Sequence, residues 1–243
     1  MKRVTIVTGA AGGIGRDLVK ALAARGDRLL ISDINVAAVR RMAARLRKAG
    51  HEVEATGVDI VSPDSTRAMA ALARETFGRV DALIHAAGID APPGRAWLLD
   101  DAHWRQIVDA DLNGAWWCSK AVLPQMLAQK SGRIILIGSV AGRAANGVTS
   151  VAYNAAKAGI NGLAVGLSAQ VEAAGVRVNV VAPGPTGTGN AMSAAERRAY
   201  RRQHPLGEGG TRPVVEACLF LLGPGGDWIS GSVINVSGGR WRG

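Results

Sequence analysis

Short apolar runs, rich in β-branched residues and carrying few polar ones, recur along the chain at Val4–Thr8, Arg28–Ser32, Glu52–Gly57, Ala82–Ala86, Arg133–Ser139, Arg177–Ala182 and Val233–Val236. A strand with one wet face alternates apolar and polar residues, whereas a strand that is apolar almost throughout has to be covered on both faces. Longer segments with helical periodicity separate the runs. Strands alternating with helices predict an α/β fold built on a doubly wound parallel sheet of seven strands. With 243 residues, 48% of them hydrophobic, the chain can bury a core of that size. No repeat, linker or composition break divides it, so residues 1–243 read as one domain. The least regular stretch, 183–213, is rich in Gly, Pro and Arg. It is long enough to be a functional loop containing a short helix.

The first strand runs into Thr8-Gly9-Ala10-Ala11-Gly12-Gly13-Ile14-Gly15, and Leu18, Val19, Ala21 and Leu22 follow at helical spacing. Strand, glycine turn and helix in that order let backbone N–H groups approach a pyrophosphate at the helix N-terminus, as in a Rossmann fold. Glycines also make tight turns that bind nothing, so the turn alone is weak. The second strand delivers Asp33 at its end, about 20 residues further on, where an acidic group hydrogen-bonds the adenosine ribose. Asp33 could instead cap the next helix. The two placements agree on a dinucleotide. A carboxylate there repels a 2′-phosphate, and the next residue is Ile34 rather than a basic one, so the cofactor expected is NAD.

Tyr153 and Lys157 stand at i and i+4 in Tyr153-Asn154-Ala155-Ala156-Lys157, on one face of a helix continuing through Gly159, Leu163 and Leu167. A phenol ionises near pH ~10, and a neighbouring cation lowers that value, which suits the pair to moving a proton to or from an alcohol. A Tyr and a Lys four apart also occur by chance.

From end to end, the chain resembles the shorter, single-domain short-chain dehydrogenases/reductases. The resemblance is carried by TGAAGGIG at 8–15, Asp59 after the third strand, Asn113 in DLNG, Ser139 in IGSVAG, YNAAK at 153–157, VNVVAPG at 178–184 and INVSGG at 234–239. It implies an NAD(P)-dependent enzyme acting on a CH–OH group and preferring NAD, with Tyr153 as general acid/base and Lys157 lowering its pKa and holding the nicotinamide ribose. Ser139 would hydrogen-bond the substrate oxygen. Asn113 would anchor a water between Lys157 and solvent. The cofactor would be lined by Gly9, Gly13, Ile14, Gly15, Asp33, Asp59 at the adenine, Ile60, Ala87, Gly88, Tyr153, Lys157, Pro183, Gly184, and Thr188 at the carboxamide. The substrate would be a small alcohol or ketone. One motif departs: the family's usual NNAG after the fourth strand is here His85-Ala86-Ala87-Gly88. A histidine at a buried strand end reads first as structural.

Two other functions share these motifs. One is reduction of a 3-oxoacyl thioester, which usually draws on NADPH; the other is non-catalytic dinucleotide sensing, which typically lacks the Tyr or the Lys.

The net charge of +10 needs a source before it implies a nucleic-acid partner. Over 36–49 a helical wheel gathers Arg40, Arg41, Arg45, Arg47 and Lys48 opposite Val39, Met42 and Leu46, the pattern of a solvated helix face, and no nucleic-acid motif accompanies it. No apolar segment approaches about eighteen residues, so no membrane span or secretory leader is expected and the chain reads as cytoplasmic. Cys118 and Cys218 have no disulfide or metal-ligand spacing, and no metal site is expected. Ser193-Ala194-Ala195-Glu196 is a capping box that predicts a helix to about Gln203 within a substrate lid at about 184–213. Its Arg197, Arg198, Arg201 and Arg202 read first as solvated charge, with Arg197 and Arg201 placed to meet an anionic substrate group. Small residues at Ala155, Ala156, Ala158, Gly159, Gly162, Ala164 and Gly166 permit a close helix contact. The resemblance implies a homotetramer formed through this helix and the one carrying Trp116 and Trp117.

Overall fold

Each of the seven runs becomes a strand: β1 (Val4–Thr8), β2 (Arg28–Asp33), β3 (Val53–Gly57), β4 (Ala82–His85), β5 (Gly132–Ile137), β6 (Val176–Pro183) and β7 (Val233–Val236). Between them lie α1 (Gly13–Ala24), α2 (Val36–Lys48), α3 (Pro63–Phe77), α4 (Asp101–Val108), α5 (Gly114–Gln129), α6 (Val151–Val171), α7 (Ala194–Gln203) and α8 (Arg212–Leu222). The structure, a computed structural model, describes residues 2–242 apart from 146, 148, 188–192 and 208; the side chains of 194–197 and 199 also lie outside the description. All strands join one parallel sheet in the order β3-β2-β1-β4-β5-β6-β7.

Successive strand residues serve opposite layers, which is why the runs are apolar throughout. Ile6, Leu30, Leu83, Ile134 and Val178 pack with the buried faces of α3, α5 and α6. Their neighbours Val7, Leu29, Ile31, Ile84 and Ile135 pack with α1, α2 and α8. Each large side chain so buried contributes roughly 1.5–3 kcal/mol of transfer free energy. The free cysteines are buried in opposite layers, Cys118 in the first and Cys218 in the second, which keeps them from each other. On α2, Val39 and Ala43 are buried while Arg40, Arg41, Arg45, Arg47 and Lys48 are exposed, so the basic arc is a solvent face. Among the described residues no helix is long and apolar enough to cross a membrane.

The edge strand β7 is tied to the sheet by more than its ladder. Asn179 of β6 is buried; its Nδ2 donates to the Ile229 carbonyl at 2.8 Å and its Oδ1 accepts from Ser232 N at 3.0 Å, fixing the turn that delivers β7. Asn179→Ala leaves a part-buried N–H donor and a part-buried carbonyl acceptor without these partners, an expected loss of about 2–3 kcal/mol. Thermal unfolding monitored by circular dichroism should show a Tm lower by roughly 5–10 °C.

Candidate active site

All C-terminal strand ends lie on one edge of a parallel sheet, and the strand order reverses between β1 and β4. Crossovers leave in opposite directions there, which opens a crevice. The crevice is a cleft of ≈ 720 Å³. Its floor is the glycine turn. Gly9 has φ +66°, and a Cβ on it would stand 2.6 Å from Ala87 N, so β1 can turn beside the end of β4 only with no side chain at this position. A Cβ at Gly15 would collide with the Gly9 carbonyl. The first turn of α1 carries no acidic residue, and Gly13, Ile14 and Gly15, whose N–H groups lack helical partners, line the cleft. Asp33 bends back to this turn: its Oδ2 accepts from Ala11 N at 3.0 Å and its Oδ1 from Asn35 N at 2.9 Å. The cap of α2 is Asn35, whose side chain accepts from Ala38 N, so Asp33 is not that cap. A glycine floor that excludes any Cβ, a helix N-terminus and a carboxylate beyond it fit a dinucleotide phosphate and ribose.

The opposite wall carries the titratable groups. Ser139 leaves β5 in an extended conformation and caps a 3₁₀ turn at 140–142 by accepting from Ala141 N at 3.1 Å. That turn is held to α6 by Asn154 Nδ2, which donates to the Ala141 carbonyl at 2.6 Å, and by Gly142, where a Cβ would lie 2.6 Å from the Lys157 carbonyl oxygen. The Ser139 side chain thereby lies on the same cleft wall as the Tyr153 phenol. Lys157 Nζ lies 5.4 Å from the centre of the Tyr153 ring.

Burial, rather than the Lys157 cation, sets the direction in which the phenol's pKa moves. Burial pushes Tyr153 up to about 12; the Ser139 hydroxyl opposes this, and the Asp111 and Asp90 charges add to it. The ammonium is engaged elsewhere, with Nζ 3.4 Å from Asp111 Oδ2. Asn113, expected to anchor a water between Lys157 and solvent, has its side chain elsewhere: its Nδ2 donates to Asp109 Oδ1 at 2.8 Å, and Asp111 takes the place against Lys157. The reason is a π-helical turn at Asp109–Asn113 between α4 and α5, which buries Asp111 and leaves Asn113 partly exposed. Asp111 was the acidic residue of the same four-residue motif, but a regular helical wheel gives no means of choosing between the two.

Gly9, Gly13, Ile14, Gly15, Ala87, Gly88, Ser139, Tyr153, Lys157, Pro183 and Gly184 are brought together on the cleft wall. Asp33, Asp59, Ile60 and Asn113 are not among the residues lining it. Asp59 Oδ1 accepts from Val61 N at 3.1 Å, and Ile60 packs on Gly114, where a Cβ would lie 2.9 Å from its Cδ1. Thr188 lies outside the described residues. His85 takes the structural role: it is buried, its Nδ1 is 2.9 Å from Thr8 Oγ1, and burial, with Lys157 nearby, lowers its pKa to about 3, leaving it neutral. The helix predicted from Ser193 is α7, with Arg198, Arg201 and Arg202 exposed, so Arg201 is a solvent-side charge; the Arg197 side chain lies outside the description. The cleft is met instead by Tyr200, Gln203 and His204, and by Arg240 of the C-terminal tail. Tyr200 donates to the Pro185 carbonyl at 3.0 Å and stacks on His204 with ring centres 4.0 Å apart. Asp111, Asp90, His204 and Arg240 were missed from sequence, since none carries a local signal for the cleft.

The model of the short chain dehydrogenase family matches residues 3–199. The chain belongs to the short-chain dehydrogenase/reductase family. It is 36% identical over 242 residues to cis-4-hydroxycyclohexanecarboxylate dehydrogenase of Sinomonas cyclohexanicum, covering 98% of this chain and 96% of that protein. It is 33% identical over 242 residues to the 3-oxoacyl-[acyl-carrier-protein] reductase FabG of Escherichia coli (strain K12), covering 98% and 97%. A short-chain type dehydrogenase/reductase from Mycobacterium ulcerans superposes with a TM-score of 0.92 at 27% identity, covering 98% of this chain and 89% of that one. As a short-chain dehydrogenase/reductase, the chain is an oxidoreductase that interconverts an alcohol and a ketone with a nicotinamide dinucleotide, NAD or NADP.

Proposed function

We propose that this short-chain dehydrogenase/reductase is NAD-dependent and acts on a small secondary alcohol or its ketone, with Tyr153 as the acid/base. The observation that carries the reading is that Ser139 and Tyr153 share the cleft wall, with the Lys157 ammonium 5.4 Å from the centre of the phenol ring. A nicotinamide ring held in this cleft would supply the hydride chemistry, taking hydride from the alcohol carbon or giving it to the ketone. Tyr153 passes the proton to or from the substrate oxygen, Ser139 hydrogen-bonds that oxygen as its charge develops, and Lys157 holds the ribose. Gly9, Gly13, Ile14 and Gly15 receive the pyrophosphate, Ala87 and Gly88 back the adenosine side, and Pro183, Gly184 and Thr188 meet the nicotinamide end.

NAD rather than NADP is supported by the Asp33 carboxylate beside the turn and by the exposed, uncharged Ile34 that follows it. A 3-oxoacyl thioester reductase is the second reading, favoured by the Escherichia coli relative and opposed by Asp33. The segment 184–213 is read as the substrate lid, since Tyr200 and His204 close one side of the cleft. Arg240 gives an anionic substituent of the substrate a partner there. The cytoplasm is the expected compartment. A homotetramer is supported by Ala155, Ala158, Gly162 and Gly166, which fall on the exposed face of α6, while Ala156 and Ala164 face the core.

Tyr153→Phe removes the transferable proton and little else, so turnover should fall at least ~100-fold while dinucleotide binding, read by fluorescence titration, persists. Retention of a tenth of the activity would exclude Tyr153 as the acid/base. Asp33→Ser should shift the NAD/NADP preference, compared as kcat/KM, by ~1–3 kcal/mol toward NADP. A wild-type preference for NADPH would overturn the cofactor assignment. Light scattering at micromolar concentration should return a tetrameric mass, and a monomer would sink that reading.

A further inference from the structure

The one buried ion pair among the described residues lies in the cleft wall, and its acidic member has no part in the reaction described above. Asp111 is fully buried and Lys157 nearly so. Asp111 Oδ1 accepts from Ile89 N at 2.7 Å, while Oδ2 has no hydrogen-bond partner and faces Lys157 Nζ at 3.4 Å. Gly88 presses against both groups: a Cβ there would stand 2.7 Å from Asp111 Oδ1 and 3.4 Å from Lys157 Nζ, so no side chain of the loop after β4 separates them. A carboxylate oxygen out of water and without a donor is costly, and this ammonium is the charge placed to offset it.

We propose that Asp111 is a third ionisable member of the Tyr153–Lys157 centre, a positioning residue whose carboxylate takes up the lysine's charge and withholds it from the phenol. The groups facing Tyr153 are Lys157 on its own helix, Ser139 after β5, Asp111 on the π-helical turn and Asp90 after β4. His85, at the end of β4 near Lys157, is neutral and contributes no charge. Asp111 therefore acts twice in one direction. It pairs the cation that would favour phenolate, and its own negative charge opposes phenolate. Burial raises the Asp111 carboxyl itself while Lys157 and the Ile89 N–H act against that rise. The consequence is an enzyme whose alcohol oxidation needs a more alkaline medium than the Tyr–Lys pair alone would require.

The inference rests on Tyr153 as the acid/base, and its test reads the phenol directly so that the two can fail separately. The chain has two tyrosines, so a Tyr200→Phe background leaves Tyr153 as the only phenol. Its phenolate absorbance, titrated against pH, then reports one group without any turnover. Asp111→Asn keeps an acceptor for Ile89 N and removes the charge. The phenolate midpoint should fall by about one pH unit or more, and the pH dependence of kcat/KM for alcohol oxidation should move down with it. Asp111→Ser, smaller and still able to accept a hydrogen bond, makes the same demand if the asparagine variant does not fold. Asp90→Asn removes an exposed, solvent-screened carboxylate and should shift the midpoint less. An unmoved midpoint in a folded Asp111 variant overturns the proposal, as does an equal shift from Asp90→Asn. If Tyr153→Phe retains turnover while the midpoint responds to Asp111, the acid/base assignment has failed and the electrostatic coupling has not.

Discussion

The approach of the β1 exit to the end of β4 is the contact on which the rest of the molecule depends. Gly9 turns with a positive φ against Ala86 and Ala87, with no room for a side chain, and this lets the two strands pair to their last residues, Thr8 with His85. Because the strand order reverses at that pair, the crossovers diverge and leave the cleft open above it. Everything chemical is suspended from that gap: α1 begins on one side, Ser139 leaves β5 on the other, and Gly88 comes to rest against Asp111 and Lys157.

Burial, more than any single neighbour, governs the electrostatics of the site. It raises Tyr153, it keeps His85 neutral beside Thr8, and it leaves Asp111 dependent on the ammonium across from it. The tyrosine's own helix supplies a cation at i+4, yet a residue from a different helix claims the charge. The pair therefore behaves as a triad assembled from α6 and the turn before α5, and the dinucleotide's charges enter a site already balanced by the protein.

The cleft wall formed by α7 and the C-terminal tail is built differently. Tyr200 and His204 at the end of α7 and Arg240 on the tail approach the cleft from segments that are far apart in sequence. The Leu206 N–H donates to the Gly238 carbonyl at 3.0 Å, binding the α7 segment to the tail, so this wall is one assembled unit rather than an isolated loop. Arg198, Arg201 and Arg202 of α7 face solvent, and the described arginine that lines the cleft, Arg240, comes from the other segment.

Features encoded over a few residues were readable in advance. Strand runs buried on both faces, the glycine turn, Asp33 at the next strand end and the Tyr153–Lys157 spacing all follow from backbone sterics and from periods of two or of 3.6 residues. Where a local period broke, reading failed: the π-helical turn rotates Asp111 inward and Asn113 outward, and the motif DLNG carries no mark of it. The sequence by itself determined the sheet, the cleft's position and the placing of Tyr153 and Lys157 on one helix face, because each depends on neighbours within a few residues. Which carboxylate meets Lys157, how strongly Tyr153 holds its proton and which arginine lines the cleft were decided only by the tertiary structure. Charge states depend on burial and on groups dozens of residues away, and only the packed chain brings those together.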